Sequence, residues 1–154
     1  MFTMKEISEL AVQIENNGEA LYRDVAAKVA DPALKSTLEE MAQEELQHAR
    51  WFSRLGSDQG SLKEAADNEL EAMGRALLAE MLNDQTFSLS ADELKDARTV
   101  TEVIAQAEEF EKDTIVFYEM LADFVDESEV AAQLREIIAE EYGHIEKLNS
   151  YRQN

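Results

Sequence analysis

Two short motifs contain the only two histidines of this chain. In each motif a glutamate lies three residues before the histidine: Glu45 before His48, and Glu141 before His144. Residues three apart lie on the same face of an α-helix, so each motif presents a carboxylate and an imidazole side by side. Carboxylates and imidazoles are ligands that suit iron and manganese. The chemistry to consider first is therefore metal binding.

The second motif repeats the first after 96 residues, and the repeat extends beyond the motifs. The pairs that keep this offset are Glu15 and Glu111, Tyr22 and Tyr118, Glu45 and Glu141, and His48 and His144, together with apolar pairs such as Ile7 and Val103, Leu21 and Phe117, and Met41 and Ile137. No gap is needed between the pair Met4 and Val100 and the pair Leu55 and Tyr151. The chain is thus predicted to be a duplicated helical hairpin, each copy carrying Glu…Tyr…Glu-x-x-His.

Helical periodicity predicts the elements that position these residues. The first helix is predicted from Thr3, which forms a capping box with Glu6, to about residue 30. Asp31 then serves as the N-cap of the second helix, with Pro32 at its first position. That helix is predicted to end at Gly56, as a C′ residue.

The second hairpin is predicted in the same way. Ser90 and Glu93 form a capping box that leads into a helix ending near residue 125, and Asp126 and Glu129 form another that opens the last helix, to about residue 151. Between the hairpins, residues 56–90 are interpreted as a helical crossover. Its apolar stripe, Leu70, Met73, Leu77 and Met81, is predicted to lie in the core or in a subunit contact. The expected architecture is one all-α domain over 1–154, a four-helix bundle of hairpins 3–55 and 91–151.

Composition sets limits on the class of protein. One proline and five glycines among 154 residues favour long helices, and the 45% apolar content is enough for a buried core. The absence of cysteine excludes disulfides, thiolate-bound metals and a cysteine nucleophile. The net charge of −20 argues against nucleic acid and anionic membranes as partners. No signal peptide and no run of about 18 apolar residues is seen, so a soluble cytoplasmic protein is expected.

The repeated glutamates and histidines fall at core positions of the predicted helices. An unpaired carboxylate in a bundle core destabilises the fold by several kcal/mol, so four of them require compensation. One solution is hydrogen bonding of each glutamate to a tyrosine or histidine, in a metal-free acidic helical protein that binds other proteins. The other is two divalent cations, whose charge balances that of four carboxylates. The duplicated spacing favours the cations.

This ligand pattern resembles that of the ferritin-like superfamily, and of stand-alone rubrerythrin-like domains in particular. The resemblance covers essentially the whole chain. It implies that Glu45 and Glu141 bridge two metal ions. Each ion would also have one terminal carboxylate, from Glu15 or Glu111, and one terminal imidazole, from His48 or His144.

The resemblance also implies roles for residues around the ligands. Tyr22 and Tyr118 match a tyrosine that hydrogen-bonds near the metals in ferritins, although both would also serve as core aromatics. Glu44 and Glu140 match an acid that receives the far N–H of a histidine on the opposite helix, although each could equally be a solvated charge.

Two departures from the rubrerythrin pattern limit the functional inference. Rubrerythrins have an additional glutamate three residues after the third-helix ligand, where this chain has Thr114, with Gly18 as its repeat partner. The ligand set is therefore the symmetric six-residue set of bacterioferritin. The rubredoxin iron of full rubrerythrins needs cysteines that are absent here, so electrons are expected from an external donor.

The expected function is that of a non-haem di-iron oxidoreductase, with two iron ions per chain reacting with hydrogen peroxide or dioxygen. The alternatives are a ferroxidase that stores or delivers iron, and a dimanganese protein. A homodimer that uses the crossover stripe is expected.

Overall fold

The computed structural model describes residues 4–57, 97–125 and 128–152 of the chain. These residues form four long α-helices: α1 (Met4–Lys28), α2 (Pro32–Ser57), α3 (Ala97–Phe124) and α4 (Ser128–Arg152). Helices α1 and α2 pack as one hairpin, and α3 and α4 pack as the other. The prediction of an all-α helical bundle is confirmed. The crossover stripe and the capping residues Thr3, Ser90 and Asp126 lie outside the described residues.

The turn between α1 and α2 contains the predicted N-cap of α2. The Asp31 carboxylate accepts a hydrogen bond of 3.0 Å from the backbone N–H of Ala33, and the Asp31 carbonyl accepts the first helical bond, from Lys35, at 2.9 Å. This is the arrangement of an N-cap followed by proline at the first helical position. The short turn forces α1 and α2 to run antiparallel.

The predicted end of α2 at Gly56 is wrong. The helix continues through Gly56 to Ser57, and no glycine in the described ranges has a positive φ angle. A C′ glycine ends a helix by adopting the left-handed conformation, but glycine is also free to remain right-handed. Its presence near a helix end therefore permits termination without requiring it.

The core consists of two apolar clusters, one toward each end of the bundle. The first contains Ile7, Ala11, Ile14, Phe52, Leu55, Ile115, Phe117, Tyr118, Leu121, Val125, Leu134, Ile137 and Ile138. The second contains Leu21, Tyr22, Val25, Ala26, Val29, Leu34, Leu38, Met41, Ala42, Val103, Ile104, Ala107 and Leu148. Most residues of one cluster have their repeat partner, 96 residues away in the sequence, in the other cluster. Each cluster draws on both hairpins, so the hairpins share one core.

None of the helices in the described ranges combines the length and the apolar composition that crossing a lipid bilayer requires.

Candidate metal centre

Six polar side chains are buried midway along the bundle, between the two apolar clusters. Helix α1 contributes Glu15, α2 contributes Glu45 and His48, α3 contributes Glu111, and α4 contributes Glu141 and His144; none is more than 3% exposed. The structure thus brings together all six residues that the sequence indicated as ligands.

The six residues form two overlapping groups that could each hold a metal ion. One group is Glu15, Glu45, His48 and Glu141, and the other is Glu45, Glu111, Glu141 and His144; in each, the ligand atoms lie within 4.8 Å of one another. Glu45 and Glu141 belong to both groups. Below, the His48 position means the one beside Glu15 and His48, and the His144 position means the one beside Glu111 and His144.

Each imidazole directs its Nδ1 atom into the centre. Nδ1 of His48 lies 2.7 Å from Oε1 of Glu141, and Nδ1 of His144 lies 3.0 Å from Oε1 of Glu45. The two ring centroids are 6.3 Å apart and the ring planes differ by 24°. Each histidine therefore faces the shared carboxylate of the other hairpin, and the two motifs meet across the interface between α2 and α4.

The outer nitrogen of each imidazole is held by a glutamate of the opposite helix. Nε2 of His48 lies 2.5 Å from Glu140, and Nε2 of His144 lies 2.6 Å from Glu44. Because a carboxylate only accepts, the imidazole donates through Nε2. This bond lowers the pKa of Glu44. In the neutral imidazole it leaves the lone pair on Nδ1, facing the centre. The sequence left two interpretations of Glu44 and Glu140, as partners of a histidine or as solvated charges. In the structure each of them is the partner of a histidine.

Two tyrosines hold the unshared carboxylates from the opposite hairpin. Tyr22 on α1 donates a hydrogen bond of 2.5 Å to Glu111, and Tyr118 on α3 donates one of 2.6 Å to Glu15. Burial raises the pKa of both phenols, and the neighbouring carboxylates raise it further, so both remain protonated donors. Both rings are fully buried in the apolar clusters. Each of the two tyrosines is therefore both a hydrogen-bond donor to the centre and an aromatic residue of the core.

The centre contains an unusual concentration of buried polar atoms without partners. Within the described residues, eight buried side-chain atoms lack a hydrogen bond, and seven of them belong to the six residues of the centre: Glu15 Oε2, Glu45 Oε1, His48 Nδ1, Glu111 Oε2, both oxygens of Glu141, and His144 Nδ1. Some of these atoms lie at ion-pair distance from one another, as Nδ1 of His48 and Oε1 of Glu141 do at 2.7 Å. Buried polar groups are normally satisfied, and unsatisfied ones destabilise a fold. Oxygen and nitrogen atoms that converge in this way fit a cation as their common partner.

The electrostatics of the centre favour positive charge. Burial raises the pKa of Glu45, and the charges of Glu141 and Glu15 raise it further. Burial and the charge of Glu141 likewise raise the pKa of Glu111 to about 8. For His48, burial opposes the charged form, but the carboxylates of Glu141 and Glu15 outweigh it and raise the pKa to about 11. Glu45 and Glu111 in this dry interior thus resist being anionic, and a nearby cation would stabilise their charged forms.

Gly18 is a part of the centre that sequence reasoning noted only as the repeat partner of Thr114. It lies on α1 one turn after Glu15, and a Cβ atom at this position would lie 2.6 Å from Oε2 of Glu45. The glycine thus provides the space that one carboxylate oxygen of Glu45 occupies. The only signal in the sequence was that Gly18 and Thr114 differ at a repeat position three residues after the candidate ligands Glu15 and Glu111.

Comparison with known proteins places this geometry in context. A sequence model of the family described as rubrerythrin matches residues 6–151. A search among curated protein sequences found no significant match. Among solved structures, the chain is similar to a protein of Thermotoga maritima described as a ferritin-like diiron-carboxylate protein, with a TM-score of 0.74. The two sequences are 23% identical, and the match covers 99% of this chain and 96% of that one. The ferritin-like fold expected from the sequence is confirmed.

Proposed function

Since the chain belongs to the rubrerythrin family, we propose that it is a non-haem di-iron oxidoreductase that reacts with hydrogen peroxide or dioxygen. The observation that carries this proposal is the set of unpartnered oxygen and nitrogen atoms that converge from four helices onto two overlapping groups. Carboxylate and imidazole ligands in this combination suit iron, with manganese as the alternative.

The six residues would divide into two kinds of ligand. Glu45 and Glu141 belong to both groups and would be shared by the two metal ions. Each ion would also have one unshared glutamate and one histidine, either Glu15 with His48 or Glu111 with His144. When bound, an iron pair supplies two electrons to a peroxide or dioxygen molecule.

The surrounding residues would keep the centre ordered and dry. Glu44 and Glu140 hold the histidine rings by their outer nitrogens, so that the Nδ1 atoms face inward. Tyr22 and Tyr118 keep their protons and each donates to one oxygen of an unshared glutamate, which would leave the other oxygen to bind a metal ion. The apolar clusters on both sides exclude water, which strengthens each of these interactions.

The source of electrons would lie outside this chain. The chain has no cysteine, so it carries neither a rubredoxin-type iron nor a dithiol to re-reduce the centre. Repeated turnover would therefore require a separate electron donor, either a protein or a small molecule.

A second candidate is a ferroxidase that oxidises iron and passes it on or stores it. The observation that favours it is the symmetric ligand set, in which Thr114 replaces the additional glutamate of rubrerythrins. The net charge of −20 would attract Fe(II) to the protein surface. In this case iron would be the substrate as well as the ligand-bound ion.

The first test is the metal content of the protein. We expect about two tightly bound iron ions per chain after aerobic loading with Fe(II) and desalting, because two groups of ligands are present. The variants His48→Ala and His144→Ala should each retain about one. Retention of none by the unmodified protein would contradict the proposal, and preferential retention of manganese from mixed metals would favour the dimanganese alternative.

The second test separates the two candidates by their oxidant. The protein is loaded with Fe(II) without oxygen and mixed in a stopped-flow instrument with either hydrogen peroxide or dioxygen. Faster oxidation by peroxide, repeated when a reductant is added, would support the peroxide-reducing oxidoreductase. Faster oxidation by dioxygen, followed by release of Fe(III) and uptake of fresh Fe(II), would support the ferroxidase. Oxidation of Glu45→Ala and Glu141→Ala variants at the unmodified rate would contradict both candidates.

A further inference from the structure

The two shared carboxylates of the centre are not arranged alike. Glu141 spans both imidazoles, with Oε1 2.7 Å from Nδ1 of His48 and Oε2 3.5 Å from Nδ1 of His144. Glu45 has Oε1 3.0 Å from Nδ1 of His144, and within the described residues neither of its oxygens is at ion-pair distance from His48. Both shared carboxylates therefore reach both groups, but Glu45 lies closer to His144 than to His48.

Gly18 accounts for the different arrangement of Glu45. The second oxygen of Glu45 lies against the backbone of α1, where a Cβ atom on residue 18 would be 2.6 Å from Oε2 and 3.4 Å from Cδ. A separation of 2.6 Å is well inside van der Waals contact, so any side chain at residue 18 would displace this oxygen. Glu45 is 1% exposed, so the displaced oxygen would stay in the interior, and we expect it to move toward the centre.

The equivalent space in the other half of the repeat is filled. Thr114 takes the place of Gly18 at the 96-residue offset, just as Glu141 takes the place of Glu45. Thr114 is 1% exposed, and its hydroxyl donates a hydrogen bond of 2.9 Å to the carbonyl of Phe110 on its own helix. A buried β-branched side chain thus occupies α3 where α1 has none, and from the internal repeat we expect Glu141 to have less room than Glu45.

We propose that Gly18 makes the two metal positions unequal in affinity. By giving Glu45 room to place one oxygen against α1, it leaves both shared carboxylates at ion-pair distance from His144, whereas Glu141 is the shared carboxylate at that distance from His48. The His144 position is then the tighter one, and the His48 position is the one that exchanges its metal. Gly18 acts through Glu45 and is a positioning residue. This inference rests on the proposed metal centre.

The test is a titration of the full chain with Mn²⁺ alone, followed by calorimetry and by the electron paramagnetic resonance signal of free Mn²⁺. We expect two binding steps whose dissociation constants differ by about tenfold or more, the range in which residues around metal ligands act. His144→Ala should remove the tighter step and His48→Ala the weaker one. Two equal steps in the unmodified protein would overturn the inference but leave the metal centre itself intact.

Substitutions at the two repeat-equivalent positions should act in opposite directions. Gly18→Ala should strengthen the weaker step, because the new methyl group pushes Oε2 of Glu45 toward the His48 position. Thr114→Gly should weaken the tighter step, because it gives Glu141 the same freedom. Thr114→Ala is the matched control: it keeps a Cβ atom, so both steps should stay unchanged.

The ratio of the two dissociation constants shows whether Gly18 acts by positioning Glu45, which changes the ratio, or by a general effect on the structure, which does not. If Gly18→Ala weakened both steps in parallel, or left the ratio unchanged, the inference would be wrong. If Gly18→Ala failed to fold, an unchanged ratio in Thr114→Gly would overturn the inference independently. Failure of the unmodified protein to bind any Mn²⁺ or iron would overturn the proposed function, and the inference with it.

Discussion

The histidines of the centre are fixed from outside by glutamates that are themselves in contact with water. The side chain of Glu140 is 52% exposed and that of Glu44 is 35% exposed, yet each lies within 2.6 Å of an imidazole Nε2 atom. Water competes for both carboxylates, which limits what each bond adds to folding stability. Their effect is on the orientation of the rings, because a ring held at Nε2 presents Nδ1 to the metal.

Removal of either outer glutamate should therefore weaken metal binding more than it weakens the fold. We expect Glu140→Ala and Glu44→Ala to lower metal affinity by about ten- to a hundredfold, as the loss of such partners does at other metal sites. Metal titration measures the affinity, and circular dichroism checks that helix content is retained. Glu146→Ala removes an exposed carboxylate from the same helix as Glu140 and is the matched control. An equal loss in that control would show that only overall charge matters.

At the scale of residues, the sequence predicted which side chains lie together in the centre but not the orientation of each side chain. The spacing of Glu45 and His48 on one helical face, repeated 96 residues later, was sufficient to bring the six residues together. The repeat also implied that Glu45 and Glu141 are equivalent. Their different orientations depend on how closely α1 approaches α2 at Gly18, and this distance follows from packing rather than from periodicity.

Two glycines within the helices have contrasting surroundings. Gly18 on α1 faces Glu45 at a distance that excludes a side chain, whereas a Cβ atom on Gly143 of α4 would meet no atom of the described residues within 4 Å. Both lie close in sequence to residues of the centre, Gly18 three residues after Glu15 and Gly143 directly before His144. Sequence position therefore does not distinguish them, but packing does.

We expect Gly143→Ala to stabilise the protein by about 0.5–1 kcal/mol. Alanine loses less backbone entropy than glycine in a helix, and no residue in the described ranges obstructs the added methyl group. Chemical denaturation measures the change in the free energy of unfolding, and metal titration should show no change in affinity. In Gly18→Ala the same gain in helix propensity should be offset by the displacement of Glu45. A destabilised Gly143→Ala would mean that this part of α4 packs against another element.

At the scale of elements, the local sequence predicted where α2 begins but not where it ends. The start of α2 was predictable because Asp31 and Pro32 each favour a helix start for an independent reason, capping for one and a fixed φ angle for the other. Its end was not predictable, because Gly56 permits two backbone conformations and the sequence does not select between them.

The proposed metal ions would connect all four helices at the middle of the molecule. We expect removal of metal by a chelator to lower the melting temperature, because metal binds the folded chain and not the unfolded one. One position at a hundred times its dissociation constant adds about 2.7 kcal/mol. For a chain of this size that corresponds to on the order of 5–10 °C. A variant with both His48→Ala and His144→Ala should not respond to metal, and an equal response would assign the stabilisation to surface binding.

The state of assembly remains a prediction of the sequence. The stripe Leu70, Met73, Leu77 and Met81, which lies outside the described residues, is predicted to form the contact of a homodimer. Light scattering at micromolar concentration should give twice the mass of one chain, and Leu77→Lys with Met81→Lys should reduce it to that of the monomer. A monomer in the unmodified protein would contradict the prediction, and a cage-sized mass would favour the iron-storing alternative.

The exchange of the two apolar clusters by one offset gives the molecule an internal two-fold repeat. Each hairpin carries half of the metal centre and part of both clusters, so two copies of one hairpin related by a two-fold axis would complete all of them. This is the arrangement that fusion of two copies of a half-length gene leaves behind. In such an ancestor the two halves had to be identical. After such a fusion each half could evolve separately, and Gly18 opposite Thr114 would then be a place where two copies of one ancestral residue differ.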